Sequence, residues 1–362
     1  MSRARLRDLG IEIGDLPVGA NNAITDVPGV TVGHTTLIHD EPRIARTGVT
    51  VVMPRGGQVQ NDNVFAAYYS FNGNGEMTGL PWLEETGLLS SPVAITNTHQ
   101  VGVVRDALVE CASNRGGGWF LPVVAETYDG FLNDINAFHV TKEHVFQALD
   151  SASGGPVTEG NVGGGTGMMC HGFKGGIGTS SRVAEIGGAS FTVGVLVQAN
   201  HGHRRLLRVD GVPVGREIGP NVVPLPGRSD DGEGSIIVIV ATDAPLLPIQ
   251  CNRLVQRATI GLARTGGVGH NGSGDIFLAF STGNHPTQDS IGAGDANTGQ
   301  PIGVQMIPNH HIDPLFEAIA EAVEESILNA LTSAETTTGF QGRTAHAIPL
   351  DQLQCVMERY RP

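Results

Sequence analysis

The segment HNGSGDIF (His270–Phe277) places a serine hydroxyl between a turn and a strand. Asn-Gly is a turn-forming pair, and the apolar run Gly274–Phe280 that follows predicts a strand covered on both faces. A serine at such a place is more often a turn hydroxyl than a nucleophile. The segment also differs from the GxSxG nucleophile elbow, because Asn271 and Asp275 stand at its two glycine positions.

The composition is that of a folded, acidic protein. The 362 residues are 40% hydrophobic and 16% charged, with a formal net charge of −14. This permits a sizeable core and argues against nucleic acid or an anionic membrane as a partner. The 51 glycines lie inside segments that otherwise look folded, which indicates close backbone packing or a closely approached ligand. Without a secretory signal or a long apolar run, we expect a cytoplasmic protein.

Motifs for disulfide, metal and nucleotide chemistry are absent from the sequence. The four cysteines are Cys111, Cys170, Cys251 and Cys355. They form no CxxC pair, so we expect reduced thiols. There is no HExxH, no P-loop and no GxGxxG, and the histidine pairs at 201/203 and 310/311 lack the i, i+4 spacing of helical zinc ligands. We therefore predict no metal and no cofactor.

Alternating strand and helix patterns predict one α/β domain over residues 1–362. Further apolar runs predict strands at Gly48–Pro54, Pro92–Thr96, Phe191–Gln198 and Ser235–Ala241. Amphipathic patterns predict helices over Val103–Arg115, Leu246–Arg264 and Pro314–Ala334. The charged stretch over residues 201–234, with scattered Gly and Pro, predicts a long excursion suited to a lid or an oligomer contact.

The last predicted helix has a clear start and a polar side. Asp313 is a plausible N-cap, and Pro314 suits the first helical position. Its glutamates mostly lie off the apolar stripe, and we expect them on a solvated face. They are Glu317, Glu321, Glu324 and Glu325.

Read with its neighbours, NGSGDIFLAFSTGN (Asn271–Asn284) resembles the cleavage and nucleophile segment of the L-aminopeptidase/D-esterase family, which includes DmpA-type enzymes and the β-aminopeptidases. The resemblance covers nearly the whole chain. It includes Ala23–Thr36, NGNGEMTG (Asn72–Gly79), Leu121–Val140, Glu159–Arg182, GVLVQANHG (Gly194–Gly202), Ala241–Pro248 and Asp313–Leu331.

The resemblance implies a fold and a mechanism. The fold is a four-layer αββα sandwich, similar to N-terminal-nucleophile hydrolases and to ornithine acetyltransferases. The mechanism is self-cleavage at Gly272–Ser273, which gives an α chain (1–272) and a β chain (273–362) that stay associated. The freed amine of Ser273 then acts as general base for its own hydroxyl, and the enzyme hydrolyses small peptides, amides and esters. A homo-oligomer, a tetramer of αβ units, is also implied.

Further site residues follow from the matched motifs. Asn200 in VQAN corresponds to a residue that helps to hold the oxyanion, Tyr128 in AETYDG to a tyrosine near the oxyanion or nucleophile, and Glu126 to the acid that binds the substrate's amino group. The structural alternatives are a strand-end turn Asn, a packed core Tyr and a surface salt bridge.

The stretch before the last helix departs from the family pattern. In the β-aminopeptidase branch, a serine and a glutamate precede this helix and take part in catalysis, whereas Pro308 and His310 stand at those positions here. His310 and Asp313 are therefore the candidate helpers of Ser273, and the resemblance does not fix specificity for β-amino acids.

Two other functions are compatible with the sequence. One is acyl transfer of the ornithine acetyltransferase type, in which the nucleophile is a threonine; Ser273 favours the hydrolase. The other is a catalytically inactive family member that acts as a binding or assembly protein.

Overall fold

The computed structural model describes residues 3–57, 59–116, 119–227, 234–286 and 302–360. The strands in these ranges are β1 (Thr31–His39), β2 (Ala45–Met53), β3 (Val64–Gly73), β4 (Leu88–Leu89), β5 (Val93–Asn97), β6 (Val123–Thr127), β7 (Met169–Cys170), β8 (Phe173–Lys174), β9 (Gly176–Ile186), β10 (Ala189–Asn200), β11 (Gly234–Thr242), β12 (Ser273–Ser281), β13 (Thr337–Thr338) and β14 (Thr344–Ala345). The helices are α1 (Leu80–Thr86), α2 (Val101–Asn114), α3 (Lys142–Asp150), α4 (Val214–Glu217), α5 (Pro248–Val255), α6 (Ala258–Arg264), α7 (Asp313–Ser333) and α8 (Leu350–Tyr360).

Two mixed sheets form the centre of the molecule. One has the strand order β1-β2-β5-β6 and the other β4-β3-β12-β11-β10-β9. In the second sheet, β12 runs parallel to β11 and antiparallel to β3. The strand that begins with Ser273 is therefore an inner strand with partners on both edges.

Each sheet is covered on both faces. The two inner faces pack against each other through aliphatic side chains such as Val52, Ile95, Ile237 and Leu278. Residues of α2 and α3 cover the outer face of the smaller sheet, and those of α5 to α8 cover the larger one. The four-layer αββα sandwich is confirmed, and burial on both faces explains why the predicted strands are continuously apolar.

The predicted strands correspond to β2, β5, β10, β11 and β12, but the predicted helix over Leu246–Arg264 is wrong in one respect. It is divided into α5 and α6 at Gln256–Arg257. The Thr259 hydroxyl donates to the Gln256 carbonyl at 2.5 Å, and the Thr259 amide donates to the same oxygen. This local bonding closes a tighter turn and interrupts the helix.

The prediction of a solvated glutamate face on α7 is also wrong, except at Glu317, which is exposed. Arg182 on β9 is fully buried, and its guanidinium contacts Glu321 at 2.9 Å and Glu325 at 2.7 Å. Gly178 allows this close approach, because a Cβ there would lie 1.9 Å from the Ser326 carbonyl oxygen. Helix α7 lies directly on β9, so Glu321 and Glu325 neutralise Arg182.

Two smaller expectations change as well. The N-cap of α7 is Ile312, and Asp313 is its first residue, where a carboxylate suits the helix dipole. The excursion after β10 packs Leu207, Val209 and Val214 into the helix-side core, which differs from a lid; its residues 228–233 lie outside the described ranges. No helix of the described chain is long and apolar enough to cross a bilayer.

The buried Arg182 ion pairs allow a test of this packing. Arg182→Met removes the cation of Glu321 and leaves Glu325 with Arg7 alone. We expect the free energy of unfolding in urea to fall by about 3–5 kcal/mol. The exposed Glu317→Gln on the same helix should change it by less than about 0.5 kcal/mol. Equal effects of the two substitutions would contradict the assignment of Arg182 as the anchor of α7.

Candidate active site

The peptide bond before Ser273 lies in a tightly held turn. The Ser273 amide donates to the His270 carbonyl at 2.8 Å, which closes a turn over 270–273. The Asn72 side-chain amide donates to the carbonyl oxygens of His270, at 3.0 Å, and of Ser273. The Asn74 side-chain amide donates to the Gly272 carbonyl oxygen at 2.7 Å. An oriented donor therefore already polarises the carbonyl that the resemblance marks for cleavage.

The Ser273 hydroxyl faces a buried carboxylate. Ser273 is 3% exposed, and its Oγ donates to Oδ1 of Asp275 at 2.6 Å. Residues i and i+2 of a strand share a face, which explains the contact. Burial raises the pKa of Asp275 to about 6, while hydrogen bonds from the Ser273 hydroxyl and the Ile236 backbone act in the opposite direction. Asp275 is thus a base within reach of the hydroxyl proton.

A cleft of about 470 Å³ opens beside this turn. Its lining residues are Asn74, Gly75, Glu76, Thr98, Glu126, Tyr128, Asn200, Gly234, Ser235 and Gly272. The structure therefore brings together Gly272 and the three motif residues from other parts of the chain. Gly75 keeps this junction tight, because a Cβ there would lie 3.1 Å from both Glu126 Oε1 and the Gly274 Cα.

Glu126 lies near the end of β6 and is a buried acid. It is 4% exposed; one carboxylate oxygen accepts from the Glu76 amide at 3.1 Å and the other from the Thr98 hydroxyl. Burial raises the pKa of Glu126, and both hydrogen bonds oppose that shift. Since no Lys or Arg of the described chain pairs with it, the alternative of a surface salt bridge does not hold.

Asn200 and Tyr128 form one wall of the cleft. Asn200 ends β10; its amide nitrogen donates to the Tyr128 carbonyl at 3.0 Å, and its oxygen accepts from the Met169 amide at 2.8 Å. The amide is thereby held in a defined orientation. The Tyr128 ring lies against Gly130 and is 39% exposed, so it is not a packed core tyrosine.

The predicted helpers His310 and Asp313 do not line the cleft. Both are exposed, and the segment just before them bonds to Pro245 and Gln250. Pro245 and Gln250 follow the C-terminal end of β11, whereas the parallel register places Ser273 beside the opposite end of that strand. Their role in catalysis stays a prediction that this geometry does not support.

Sequence reasoning missed Asn74 and Asp275, although both lie in the quoted motifs. The period-2 geometry of a strand could have identified Asp275 as a neighbour of the Ser273 hydroxyl. Asn74 had no comparable local signal, because its contact with Gly272 joins residues 198 positions apart.

A second group of reactive side chains is not part of the cleft lining. Cys170, His171 and His201 are buried, and one potential ligand atom from each lies within 4.8 Å of the other two. Burial lowers the pKa of His171 to about 4 and that of His201 well below its usual value. Both rings are therefore neutral at pH 7 and keep a lone pair that could bind a metal.

Known proteins are similar to this chain over nearly its whole length. Residues 22–345 match the model of Peptidase family S58. The chain is 50% identical over 375 aligned positions to the beta-peptidyl aminopeptidase BapA of Sphingosinicella microcystinivorans, covering 99% of this chain and 92% of the relative.

Solved structures share the fold over almost the entire chain. A Burkholderia sp. beta-aminopeptidase superposes with a TM-score of 0.91 at 50% identity, covering 99% of this chain and 100% of the other. The L-aminopeptidase D-Ala-esterase/amidase from Ochrobactrum anthropi, described as a prototype for the serine aminopeptidases and a variant of the Ntn hydrolase fold, gives 0.88 at 45% identity and covers 98% of both chains.

Proposed function

The chain belongs to peptidase family S58, a family of aminopeptidase hydrolases, and we propose that it frees Ser273 by cutting itself after Gly272 and then uses Ser273 to remove N-terminal residues from short peptides, amides and esters. One observation carries the proposal. Both residues of one peptide bond have a polar partner suited to the reaction. The Gly272 carbonyl oxygen accepts from the Asn74 side-chain amide, and the Ser273 hydroxyl donates to Asp275.

Self-cleavage follows from these two contacts. Asp275 takes the proton from Ser273 Oγ as that oxygen attacks the Gly272 carbonyl carbon, and the Asn74 amide stabilises the resulting oxyanion. The C–N bond then breaks, and the Ser273 nitrogen receives a proton, which leaves an ester between Gly272 and Ser273 Oγ. Water hydrolyses that ester to the Gly272 carboxylate and the free hydroxyl. Glycine at 272 adds no side chain against the attacking oxygen.

Cleavage is a precondition for catalysis on other substrates. The Ser273 side chain is buried behind its own turn, so a substrate carbonyl gains access only after the turn has opened. The new α-amine, with a reference pKa of about 7.7–8.0, then accepts the hydroxyl proton during attack on the substrate. Asn200, already oriented at the cleft wall, is the donor proposed for the substrate oxyanion.

Glu126 supplies the selectivity for a free N-terminus. It is a buried acid without a cationic side-chain partner in the described chain, and it lines the same cleft as Gly272. A substrate ammonium would satisfy its carboxylate. Because two relatives named beta-peptidyl aminopeptidases are 50% and 42% identical to this chain, we include peptides with N-terminal β-amino residues among the substrates.

The observations favour hydrolysis over the alternatives. Ser273, rather than a threonine, stands at the cleavage position, and the matched relatives are named aminopeptidases. The oriented donor and base at the scissile bond argue against an inactive binding protein. Assembly into a tetramer of αβ units and a cytoplasmic location stay predictions.

The central test is the mature N-terminus. Purified wild-type protein should give two chains under denaturing conditions, and the smaller should begin with SGDIF. Ser273→Ala should remain one chain of 37.8 kDa and lack activity on aminoacyl p-nitroanilides. Ser281→Ala, at the far end of the same strand, should be cut normally. An uncut wild-type chain, or a cut Ser273→Ala chain, would refute the proposal.

The role of Asp275 gives a pH dependence for self-cleavage. Its pKa of about 6 means that the carboxyl is protonated at lower pH and unable to accept the hydroxyl proton. The cleavage rate of freshly synthesised chain should therefore rise with pH through about 6. Asp275→Asn should slow cleavage by about 10²–10⁴-fold and abolish this step in the profile.

Asn74→Ala provides the matched comparison. Loss of an oxyanion donor should slow cleavage by about 10²–10³-fold, but the base is untouched, so the rise near pH 6 should persist. Pulse-labelled chain from cell-free synthesis, followed on denaturing gels between pH 5 and 8, gives both rates. An Asp275→Asn profile that keeps its step would eliminate Asp275 as the base.

Glu126→Gln tests recognition of the substrate amine. Losing a charge-assisted contact should lower kcat/KM for free-amine p-nitroanilides by roughly 10- to 100-fold, for both α- and β-amino substrates. Analogues without the amino group should be unaffected, so discrimination between the two classes collapses. The exposed Glu85→Gln serves as the control. Retained discrimination in Glu126→Gln would assign amine binding to another group.

A further inference from the structure

The cluster of Cys170, His171 and His201 has no task in the proposed hydrolysis. Cys170 and His171 belong to the short hairpin of β7 and β8, and His201 follows β10 directly. The three residues are 0%, 0% and 5% exposed. The Cys170 Sγ and the His201 Nδ1 lie 3.9 Å apart. Three ligands bound to one ion at about 2.0–2.3 Å are separated by roughly 3.5 Å, so a small contraction would complete a site.

The histidine nitrogens are available to an ion. His171 Nδ1 lies 3.1 Å from the His203 carbonyl oxygen, so it donates and leaves the lone pair on Nε2. In the described structure, His171 Nε2 is buried without a hydrogen-bond partner, which is costly unless the nitrogen is bound. His201 faces the Cys170 Sγ with Nδ1, so Nδ1 is the nitrogen of that ring that would bind the ion. Orientation of a ring by a backbone carbonyl is also typical of metal-ligating histidines.

The backbone is shaped around the His171 ring. His171 has a φ of 50° and the next residue, Gly172, a φ of 68°, so the hairpin turn holds a non-glycine residue in the left-handed region. Such conformations persist where the surroundings impose them, often at functional sites. Gly202 has a φ of 89°, and a Cβ there would lie 2.5 Å from His171 ring atoms. The absence of a side chain on Gly202 therefore lets the His171 ring lie against the residue after His201.

The surroundings favour an ion of low charge. The guanidinium of the fully buried Arg204 donates to the His171 carbonyl oxygen at 3.0 Å and places a positive charge beside the cluster, and the three ligands include no carboxylate. A thiolate with two neutral imidazoles carries one negative charge, which a monovalent ion neutralises completely. Thiolate and imidazole are ligands for copper and zinc, and two His with one Cys form a trigonal set.

We propose that Cys170, His171 and His201 bind one thiophilic metal ion in trigonal geometry, with Cu⁺ preferred over Zn²⁺. Binding forms the metal–sulfur bond as the Cys170 proton is released to solvent, and no electron is transferred. The ion would clamp the β7–β8 hairpin to the end of β10. Since the Met169 amide and Asn200 are hydrogen-bonded at 2.8 Å, the clamp fixes the same two segments that orient the cleft asparagine.

The test uses the full-length protein under reducing, oxygen-free conditions. Cu⁺ is supplied from its bicinchoninate complex, and we expect one equivalent to be withdrawn with a higher thermal midpoint of unfolding. Cys170→Ala and His201→Gln should lose both effects. Cys251→Ala is the matched control, because Cys251 is an equally buried thiol outside the cluster, and it should behave as wild type.

X-ray absorption of the copper-loaded wild type tests the ligands without relying on any variant. One sulfur and two imidazole nitrogens are expected. Coordination without sulfur, failure to withdraw one equivalent, or unchanged binding by Cys170→Ala would overturn the site. Zn²⁺ binding more tightly than Cu⁺ in a parallel competition titration would overturn the preference based on charge. None of these readouts depends on peptidase activity, so failure here is distinguishable from failure of the proposed function.

Discussion

The pairing of β12 on both edges is the constraint on which the site depends. The strand is fully buried and lies parallel to β11 and antiparallel to β3. The register sets Gly234 beside Ser273 and Gly73 beside Gly274, which brings the end of β3, with Asn72 and Asn74, to the turn before the strand. Because both ladders hold the strand, the bond at its start can break while the new terminus stays in the sheet.

The apolar runs predicted the central strands, because strands covered on both faces are apolar throughout, whereas the four-layer arrangement followed from the resemblance to the family. Two of the failures, the solvated glutamates of α7 and the omission of Asn74, depended on partners distant in the chain, whereas the division between α5 and α6 is local. The glutamates of α7 were predicted to be solvated because no residue of the helix itself indicates the contact with Arg182, which lies on a strand about 140 positions earlier. The motifs indicated Glu126, Tyr128 and Asn200 as site residues. They did not indicate Asn74, because its contact with the Gly272 carbonyl forms only in the tertiary structure.

Two buried carboxyl groups of the site have similar hydrogen bonds but different neighbours. Asp275 accepts hydrogen bonds from the Ser273 hydroxyl and the Ile236 backbone, and burial raises its pKa to about 6. Glu126 receives a backbone amide and a threonine hydroxyl, both of which stabilise its charged form against burial. The hydroxyl on Asp275 belongs to the proposed nucleophile, whereas Glu126 lines the cleft. Proton uptake is therefore the role proposed for Asp275, and pairing with a substrate ammonium is the role proposed for Glu126.

Under the proposed self-cleavage, the position of Gly272 on the cleft wall makes the chain its own first ligand. Once the bond is cut, residues ending at Gly272 form a carboxyl-terminal tail that starts inside the cavity, tethered there at a high effective concentration. An incoming peptide competes with this tail for the same space. The onset of turnover is therefore set by two successive events, scission and withdrawal of the tail, and the length and stiffness of the segment before Gly272 govern the second.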